Sequence, residues 1–281
     1  MYENKLPISV LIMSYNEDKN IGVTLDSVVE RFNQVIITDS FSTDNTKQIC
    51  LNYDVDFYEN QFIHWATQRN WMLENCLIKN DWVFFLDADE SINDIFFNEL
   101  SLKFHNKGID ITSFYINKDL YFLGKNIKHA YGHPKIQLIF KKAGLMYHAE
   151  GAREYATIEG KSLEIRTPLI HEDRRPFEYW ITKHIKNAER EKEQYLANRN
   201  VVSKIDNSNL SIALRIRKYI RLNMWNKLPL GIKPVFYFLY RYFIKLGFLD
   251  GKAGFLYCVN HALWYEMLID IKILEHDRNS N

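Results

Sequence analysis

Two carboxylates separated by one small residue follow a short apolar run in this chain. Residues 83–86 are wholly apolar, and Asp87, Ala88 and Asp89 come directly after them. Such a run is typical of a strand buried on both faces of a parallel sheet. Two carboxylates at this spacing can hold one hard divalent cation, Mg²⁺ or Mn²⁺, which keeps positions open for phosphate oxygens. The alternative interpretation is a solvated acidic turn.

The segments before this motif alternate between strand and helix patterns. Strands are predicted over 8–13, 35–38 and 55–58, and helices over 20–29, 45–51 and 65–77. Strict alternation predicts a doubly wound α/β sheet. Right-handed crossovers bring the carboxyl ends of such strands to one edge, where ligands bind. Three polar segments are expected to meet at that edge, namely residues 15–17, 39–44 and 87–90.

The pattern changes after Glu90. A helix is predicted over 92–104, strands over 112–116, 135–140 and 163–170, and a long helix from Pro176 to about Leu196. Pro176 suits the first turn of that helix. The least patterned stretch is 198–208. We therefore expect a catalytic domain over residues 1–200 and a helical extension over 201–281.

Four segments, in their order and spacing, resemble glycosyltransferase family 2. They are ISVLIMSYNE (8–17), VIITDSFSTDNT (35–46), QRN (68–70) and DWVFFLDADE (81–90). The branch that the chain resembles includes bacterial lipopolysaccharide-core β-glucosyltransferases and capsule or O-antigen transferases. The resemblance covers the first 90 residues and, less fully, 144–196. It implies the GT-A fold, a Rossmann-like doubly wound mixed sheet flanked by helices, and a nucleotide-diphosphate sugar as donor.

The same resemblance implies a donor site along the strand edge. The residues expected to contact the nucleotide sugar are Ser14, Tyr15, Asn16, Glu17, Asp39, Arg69, Asp87 and Ala88. Glu17 would lie near the ribose, and Asp39 would accept a hydrogen bond from the base, a task suited to N3–H of uracil. A guanidinium suits phosphate oxygens, so Arg69 would reach the diphosphate or the donor sugar. The alternative for Arg69 is an exposed charge on a helix.

Two positions after Asp39 need separate interpretation. The common family pattern reads Asp-Asp-Gly or Asp-Ser-Gly from Asp39, and Phe41 stands where the glycine would be. Asp44 precedes the predicted helix 45–51, where a carboxylate can cap the first turn. We expect a structural role for Asp44.

The resemblance also implies a general base and a metal site. Family 2 enzymes typically invert, which requires one carboxylate on the face opposite the departing diphosphate. Glu154, Glu150 and Asp173 compete for this role, and Glu154 best matches a His-Glu pair of the branch, with Arg153 in the place of the histidine. The expected ligands of Mg²⁺ or Mn²⁺ are Asp87, Asp89 and His171. His171 and His148 could instead donate to the acceptor or be ordinary polar residues.

The net charge of +1 hides a basic, aromatic region near the C-terminus. Residues 204–252 contain ten basic and two acidic residues, a net charge of +8. Residues 212–225, 234–248 and 255–268 are apolar helix candidates. Such helices can lie on an anionic membrane surface. The alternative is a helical cap packed on the core. Nucleic acid is not expected as a partner, because the basic residues sit among long apolar runs.

The remaining features narrow the function class and the compartment. Cys50, Cys76 and Cys258 lie far apart, which suits a reducing compartment. We see no secretory signal and no uncharged apolar run long enough to span a membrane. A phosphatase is disfavoured, because its acid pair usually follows the first strand and not the fourth. We therefore expect a cytoplasmic enzyme, peripheral at the inner face of the membrane.

The predicted activity is transfer of a sugar, with inversion and a divalent metal, from a UDP-sugar to an acceptor. The expected acceptor is a lipid-linked, lipopolysaccharide or capsule glycan. A sugar-phosphate nucleotidyltransferase is one alternative, but residues 14–18 lack the glycine- and lysine-rich phosphate loop it would need. The other is a non-catalytic nucleotide-sugar-binding protein on the same fold.

Overall fold

The computed structural model describes residues 5–150, 153–199 and 229–280. The chain divides into two units. Residues 1–128 and 132–176 form the first, and residues 129–131 and 177–281 form the second. The domain boundary expected at residue 200 lies at the start of the stretch 200–228, outside the described residues, as does the helix candidate 212–225.

A mixed sheet forms the centre of the first unit, with nine strands among the described residues. The strands of this unit, including a separate two-stranded sheet of β9 and β10, are β1 Leu6–Ser14, β2 Phe32–Asp39, β3 Asp56–Glu59, β4 Trp82–Asp87, β5 Glu90–Ser91, β6 Ile111–Phe122, β7 Lys125–Asn126, β8 Lys135–Lys141, β9 Met146–Glu150, β10 Arg153–Thr157 and β11 Lys161–Glu172. The helices are α1 Ile21–Val28, α2 Thr46–Cys50, α3 Trp65–Asn75 and α4 Asp94–His105.

The order of the strands confirms the predicted α/β fold. Strands β3, β2, β1 and β4 are adjacent and parallel, so their carboxyl ends share one edge. Beyond them, β8 runs antiparallel to both β4 and β6, and β11 runs parallel to β6. The register aligns Ser14 with Asp39, and Met13 with Asp87. The polar segments after β1, β2 and β4 therefore start side by side.

Both faces of the central strands are buried, as the continuous apolar runs predict. On one face Ile12 and Phe84 belong to a large cluster with α1 and α4. On the other face Leu11 and Phe85 pack with Met72 of α3. Each such side chain stabilises the fold by roughly 1.5–3 kcal/mol when fully buried. This packing fixes the strand ends that carry the polar residues.

The described part of the second unit is helical, as predicted for the extension. Its elements are α5 Phe177–Arg199, α6 Lys233–Leu239, a π-helical turn Tyr240–Ile244, a 3₁₀ turn Gly247–Asp250, α7 Gly251–Tyr257, a second π-helical turn Cys258–Trp264 and α8 Tyr265–Ser280. Within the three described ranges, no helix combines the length and hydropathy that a membrane-spanning segment needs.

A buried arginine and a buried aspartate organise the second unit. The Arg241 guanidinium lies over the rings of Tyr237 and Tyr257 and donates to the carbonyl of Tyr131 at 3.0 Å. The Asp250 carboxylate accepts the backbone N–H groups of residues 129 and 130. These bonds tie residues 129–131 to the C-terminal helices.

Candidate active site

The carboxyl ends of β1 and β2 are joined through a buried aspartate. Ser14 Oγ donates to Asp39 Oδ1 at 2.8 Å, and the Ser42 hydroxyl donates to the same oxygen at 2.6 Å. The backbone N–H of Ser42 donates to Asp39 Oδ2 at 2.7 Å. Asp39 is only 1% exposed. Since each carboxylate oxygen accepts two hydrogen bonds, Oδ2 keeps one acceptor position after these contacts.

The loops after β1 and β2 are hydrogen-bonded to each other. The Asn16 N–H donates to Ser42 Oγ, and the Thr43 N–H donates to Asn16 Oδ1, both at 2.8 Å. Phe41 has φ +60°, the left-handed conformation that glycine adopts freely. Phe41 therefore has a left-handed backbone at the position where the family pattern has glycine. Tyr15 and Phe41 are both about half exposed beside the buried Asp39.

Asp44 has the structural role that the sequence predicted. Its Oδ1 accepts the Thr46 N–H at 2.9 Å and the Thr46 hydroxyl at 2.6 Å, and its Oδ2 accepts the Asp18 N–H at 3.1 Å. Burial opposes ionisation of Asp44, but these hydrogen bonds lower its pKa below the usual value. The Thr46 hydroxyl in turn accepts the Glu17 N–H, which fixes the backbone at Glu17.

The carboxylate pair after β4 lies among cations. The Asp87 side chain is 40% exposed and lies 3.4 Å from Lys118 Nζ and 3.5 Å from Arg69 Nη2. Burial opposes ionisation of Asp87, but the charges of Lys118 and then Arg69 lower its pKa. Ala88 is buried, and its carbonyl accepts the Thr24 hydroxyl at 2.7 Å. Asp87 is thus an ionised, accessible carboxylate on a fixed turn.

A buried ion pair between Lys118 and Glu90 supports the turn at Asp87–Asp89, and our sequence analysis missed it. Lys118 of β6 contacts the buried Glu90 of β5, and Glu90 Oε2 accepts the Asp87 N–H at 3.1 Å. Burial raises the pKa of Glu90 despite this lysine. A signal existed in the sequence, because Phe114, Ile116 and Lys118 alternate on the buried face of one strand. A lysine in that position needs a buried anionic partner.

Arg69 links the motif to the first candidate base. Its Nε donates to Glu154 Oε1 at 2.8 Å, while its Nη2 faces Asp87. The guanidinium lies over the rings of Phe85 and Tyr147, at 5.0 and 5.3 Å from their centroids. Arg69 is buried on α3, so the alternative of an exposed helix charge is wrong.

The three candidate bases differ in their hydrogen bonding. Glu154 Oε2 is buried and has no hydrogen-bond partner in the described part of the chain. Asp173 accepts from Asn20 at 3.0 Å and from Arg175 Nε and Nη2 at 2.7 and 2.6 Å. Burial opposes its ionisation, but the bonds and charge of Arg175 lower the pKa of Asp173. Glu150 ends β9, and its side chain lies outside the described residues.

Arg175 is a second residue that our sequence analysis missed. Its side chain is buried and donates to Glu17 Oε1 at 2.6 Å as well as to Asp173. It also lies 4.0 Å from Asp89 Oδ2. One guanidinium therefore joins the loop after β1, the motif after β4 and the segment after β11.

His171 faces the second motif carboxylate. It lies opposite Glu90 in the pairing of β11 with β5, and its Nε2 is 3.4 Å from Asp89 Oδ2. Burial favours the neutral imidazole, but the Asp89 charge raises the pKa of His171. Its Nδ1 is buried and lacks a hydrogen-bond partner among residues 5–150, 153–199 and 229–280.

The predicted metal ligands do not form a closed cluster. No group of three or more His, Cys, Asp or Glu side chains in the described ranges is arranged to hold an ion. Asp89 and His171 face each other, whereas Asp87 contacts Lys118 and Arg69. His148 Nε2 lies 2.9 Å from Thr157 Oγ1, and its ring stacks on Tyr155, so these contacts stay within β9 and β10.

Comparison with known families decides the classification. Residues 9–151, about half of the chain, match the family described as Glycosyl transferase family 2. The chain belongs to glycosyltransferase family 2. The matched region contains Ser14, Asp39, Arg69 and the Asp87–Asp89 motif. The resemblance and the GT-A fold class predicted from the sequence are confirmed.

Individual family 2 relatives match only part of this chain. It is 40% identical over 81 residues to glycosyltransferase SunS of Bacillus subtilis (strain 168), which is 28% of this chain and 19% of SunS. It is 33% identical over 94 residues to the lipopolysaccharide core biosynthesis glycosyltransferase LpsC of Rhizobium meliloti (strain 1021), 32% of this chain and 34% of LpsC. The matched stretches thus span about a fifth to a third of these relatives.

Two solved structures of low identity were also found for this family 2 chain. Residues 1–349 of TarS from S. aureus, solved with UDP-GlcNAc, give a TM-score of 0.48 at 15% identity, over 98% of this chain and 93% of that one. Glucosyl-3-phosphoglycerate synthase from Mycobacterium tuberculosis, solved with Mn²⁺, UDP and phosphoglyceric acid, gives 0.44 at 14% identity, over 70% and 80%.

Proposed function

We propose that this family 2 protein is an inverting glycosyltransferase that takes its sugar from a UDP-sugar. The observation that carries the proposal is the double contact of Arg69. One guanidinium bonds to Glu154 and faces Asp87, so a candidate base lies one side chain away from the motif expected to face the diphosphate. A phosphate-binding motif and a carboxylate base are the two groups that in-line sugar transfer needs.

In this proposal Glu154 is the general base. Its Oε1 is held by Arg69, while Oε2 has no partner in the described part of the chain and can accept a proton. The acceptor hydroxyl gives that proton to Glu154 and attacks the anomeric carbon, and the bond from that carbon to the diphosphate oxygen breaks. Asp173 suits the role less well, since Arg175 and Asn20 occupy both of its oxygens and lower its pKa.

The residues present fit a divalent cation. Carboxylate and imidazole are ligands that Mn²⁺ accepts, and His171 Nε2 faces Asp89 Oδ2 at 3.4 Å. We propose that Asp89 and His171, with Asp87, hold Mg²⁺ or Mn²⁺. The ion would supply Lewis-acid neutralisation of the charge on the diphosphate. Arg69 and Lys118, which already face Asp87, would add fixed positive charge at the same place.

The proposed acceptor is a lipid-linked or lipopolysaccharide-type glycan at the inner face of the cell membrane. The similarity to LpsC, a lipopolysaccharide core biosynthesis glycosyltransferase, supports a lipopolysaccharide acceptor, although the match covers only a third of that protein. The net charge of +8 over residues 204–252 supports a position against an anionic surface.

A donor screen tests the proposed activity. Nucleotide sugars are tested for Mn²⁺-dependent binding by calorimetry and for slow hydrolysis by release of nucleoside diphosphate. Asp89→Asn is expected to abolish the metal-dependent part of both, and the exposed Asp81→Asn serves as matched control. Binding and turnover of the donor by Asp89→Asn at the level of the parent would show that the metal assignment is wrong.

The base is tested separately. Glu154→Gln is expected to lower sugar transfer by about 10²–10⁴-fold, the usual contribution of a general base, while donor affinity stays within about twofold. Glu159→Gln, an exposed position on the same segment, is the control. Parallel variants Glu150→Gln and Asp173→Asn decide between the three acids. If all three variants keep parental donor binding and the parent itself shows no turnover, the chain is a binding protein.

A further inference from the structure

One helical segment of the second unit is apolar on both of its faces. The segment comprises α6 and the π-helical turn after it, residues 233–244. Its inner face is packed, because Phe238 and Tyr242 stack on each other at 5.5 Å and both contact Phe255 of α7. The Arg241 guanidinium completes this face between Tyr237 and Tyr257. The inner face therefore has its partners.

The opposite side, here called the outer face, consists of large apolar side chains that are exposed. Their spacing of three and four residues places them along one side of the helix. They are between 40% and 72% exposed, and they are Ile232, Val235, Phe236, Leu239, Tyr240, Phe243 and Ile244. Leu246, Phe248 and Leu249 continue the exposed apolar surface into the next turn.

An exposed helix of a soluble domain normally turns a polar face to water. A helix that is apolar all round is usually buried, and a large contiguous apolar surface marks a binding site. Ten large apolar side chains are exposed within residues 232–249. Packing against the other described residues does not cover them. The outer face therefore requires an apolar partner.

The charges around the outer face select that partner. Lys245 and Lys252 are exposed beside it. The only acid in residues 229–252 is Asp250, which is buried and accepts two backbone N–H groups. In the sequence, residues 215–227, which lie outside the described ranges, contain five basic and no acidic side chains. Exposed lysines border the apolar strip, and two acids that contact its ends, Asp250 and Asp270, are buried and accept backbone N–H groups. An apolar strip bordered by exposed lysines matches the boundary between acyl chains and anionic headgroups.

We propose that the outer face is the surface by which this protein inserts into the headgroup layer of an anionic bilayer. The segment 233–244 is about 18 Å long as a helix, so it lies in the plane of the membrane. The phenylalanine and tyrosine rings enter the apolar boundary, and the lysines contact lipid phosphates. This inference deepens the proposed function, because it states which residues bring the donor site to a lipid-linked acceptor.

The test uses the whole 281-residue chain and vesicles of phosphatidylcholine with or without phosphatidylglycerol. The parent is expected to sediment with the anionic vesicles. Phe243→Ser/Ile244→Ser is expected to weaken this binding at least about tenfold, since two exposed apolar side chains lose their burial in the bilayer. Lys245→Gln/Lys252→Gln is expected to weaken it about fivefold for each lysine at low salt.

A matched control comes from the same unit. Ile271→Ser/Leu274→Ser removes two similarly exposed apolar side chains on α8, away from the outer face in sequence, and is expected to leave vesicle binding unchanged. Circular dichroism and donor hydrolysis in solution are measured for every variant. Unchanged donor hydrolysis with lost vesicle binding supports the inference, whereas hydrolysis absent from the parent would refute the proposed function alone.

Two other results would overturn the inference. If the parent binds no anionic vesicles and sediments as a dimer that Phe243→Ser/Ile244→Ser converts to a monomer, a second copy covers the outer face. The parent could also be monomeric and bind no vesicles. If a hydrophobic dye then reaches the outer face only after residues 200–228 are deleted, that segment covers the outer face.

Discussion

Phe41 holds a left-handed backbone conformation although it carries a large side chain. Its φ of +60° lies in the region that glycine adopts more freely than any residue with a Cβ. A residue with a Cβ pays about 1–2 kcal/mol to adopt it. The hydrogen bonds of Ser42 to Asp39 and of Asn16 to Ser42 hold the turn in place against this cost.

Phe41→Gly is therefore expected to stabilise the protein by about 1 kcal/mol, because glycine relieves the strain and the phenylalanine ring is already half exposed. The free energy of unfolding in urea measures the effect. Phe41→Ala keeps the strain and loses only the ring, so it is the control and is expected to be no more stable than the parent. Equal stability of the glycine and alanine variants would contradict the strain.

Lys118 compensates two carboxylates, Asp87 and the buried Glu90. Lys118→Met is expected to destabilise the protein by about 3 kcal/mol, because removing one partner leaves a buried charge uncompensated. It is also expected to raise KM for the donor, since the turn at Asp87 loses its support. Lys118→Arg keeps the charge and is expected to recover most of both effects. A methionine variant with parental stability and parental KM would exclude this role.

The sequence analysis predicted candidate site residues that lie at the end of a strand. It missed residues whose partners are distant in sequence. Asp87, Asp89 and Asp39 were predicted as site residues because each ends or follows a recognisable strand. Arg175 was missed because its partner Glu17 is 158 residues away in sequence. Such a contact depends on how β11 returns to the sheet, which no local pattern encodes.

At the scale of elements, the main strands of both halves of the sheet were predicted, since 112–116, 135–140 and 163–170 lie within β6, β8 and β11, but the order of the antiparallel half was not. The predicted strands 8–13, 35–38, 55–58 and 83–86 lie within or near β1 to β4, because strands buried on both faces read as apolar runs. The insertion of β8 between β4 and β6 was not predicted, because the order of strands is set by tertiary packing. The two-residue strands β5 and β7 are too short for any period.

Glu99 joins α4 to β11. Its carboxylate accepts the N–H groups of Arg166 and Thr167 at 2.9 Å and the Thr167 hydroxyl at 2.7 Å, and Lys103 lies at 2.7 Å. Burial opposes ionisation, but these bonds lower the pKa of Glu99 to about 2. Since the folded pKa lies below the usual 4.5, the ionised form stabilises the fold above pH 4.5. This contribution is lost as the pH falls towards 2.

Glu99→Gln is expected to destabilise the protein by about 2 kcal/mol at pH 7, less than the full shift implies, since the side chain is partly solvated. The difference from the parent should shrink as the pH falls from 4.5 towards 2. Urea unfolding at several pH values measures it, and Glu30→Gln, an exposed glutamate, is the control. A difference that stays constant with pH would show that Glu99 acts through packing alone.

At the scale of the whole molecule, the candidate donor site and the outer face belong to different units of the chain. The candidate donor-site residues, of which Ser14 is the first and Asp173 the last, lie in the first unit. Residues 232–249 lie in the second. The overall charge of +1 combines a basic stretch of +8 with a net acidic remainder. The net charge of the whole chain therefore does not reveal that the donor site and the outer face suit different ligands.

This division predicts two separate footprints in hydrogen exchange. UDP with Mn²⁺ is expected to slow exchange in peptides covering residues 14–17, 39–43 and 87–90, and to leave 232–249 unchanged. Amides that exchange only on unfolding of the binding unit should slow by about a hundredfold at a ligand concentration 100 times Kd. Anionic vesicles are expected to give the reverse pattern, with protection of 232–249 and none at the strand edge. Asp89→Asn should remove the first footprint, and Phe243→Ser/Ile244→Ser the second, each without the other. If UDP instead protects 232–249 as strongly as 87–90, the two surfaces do not act as separate binding sites.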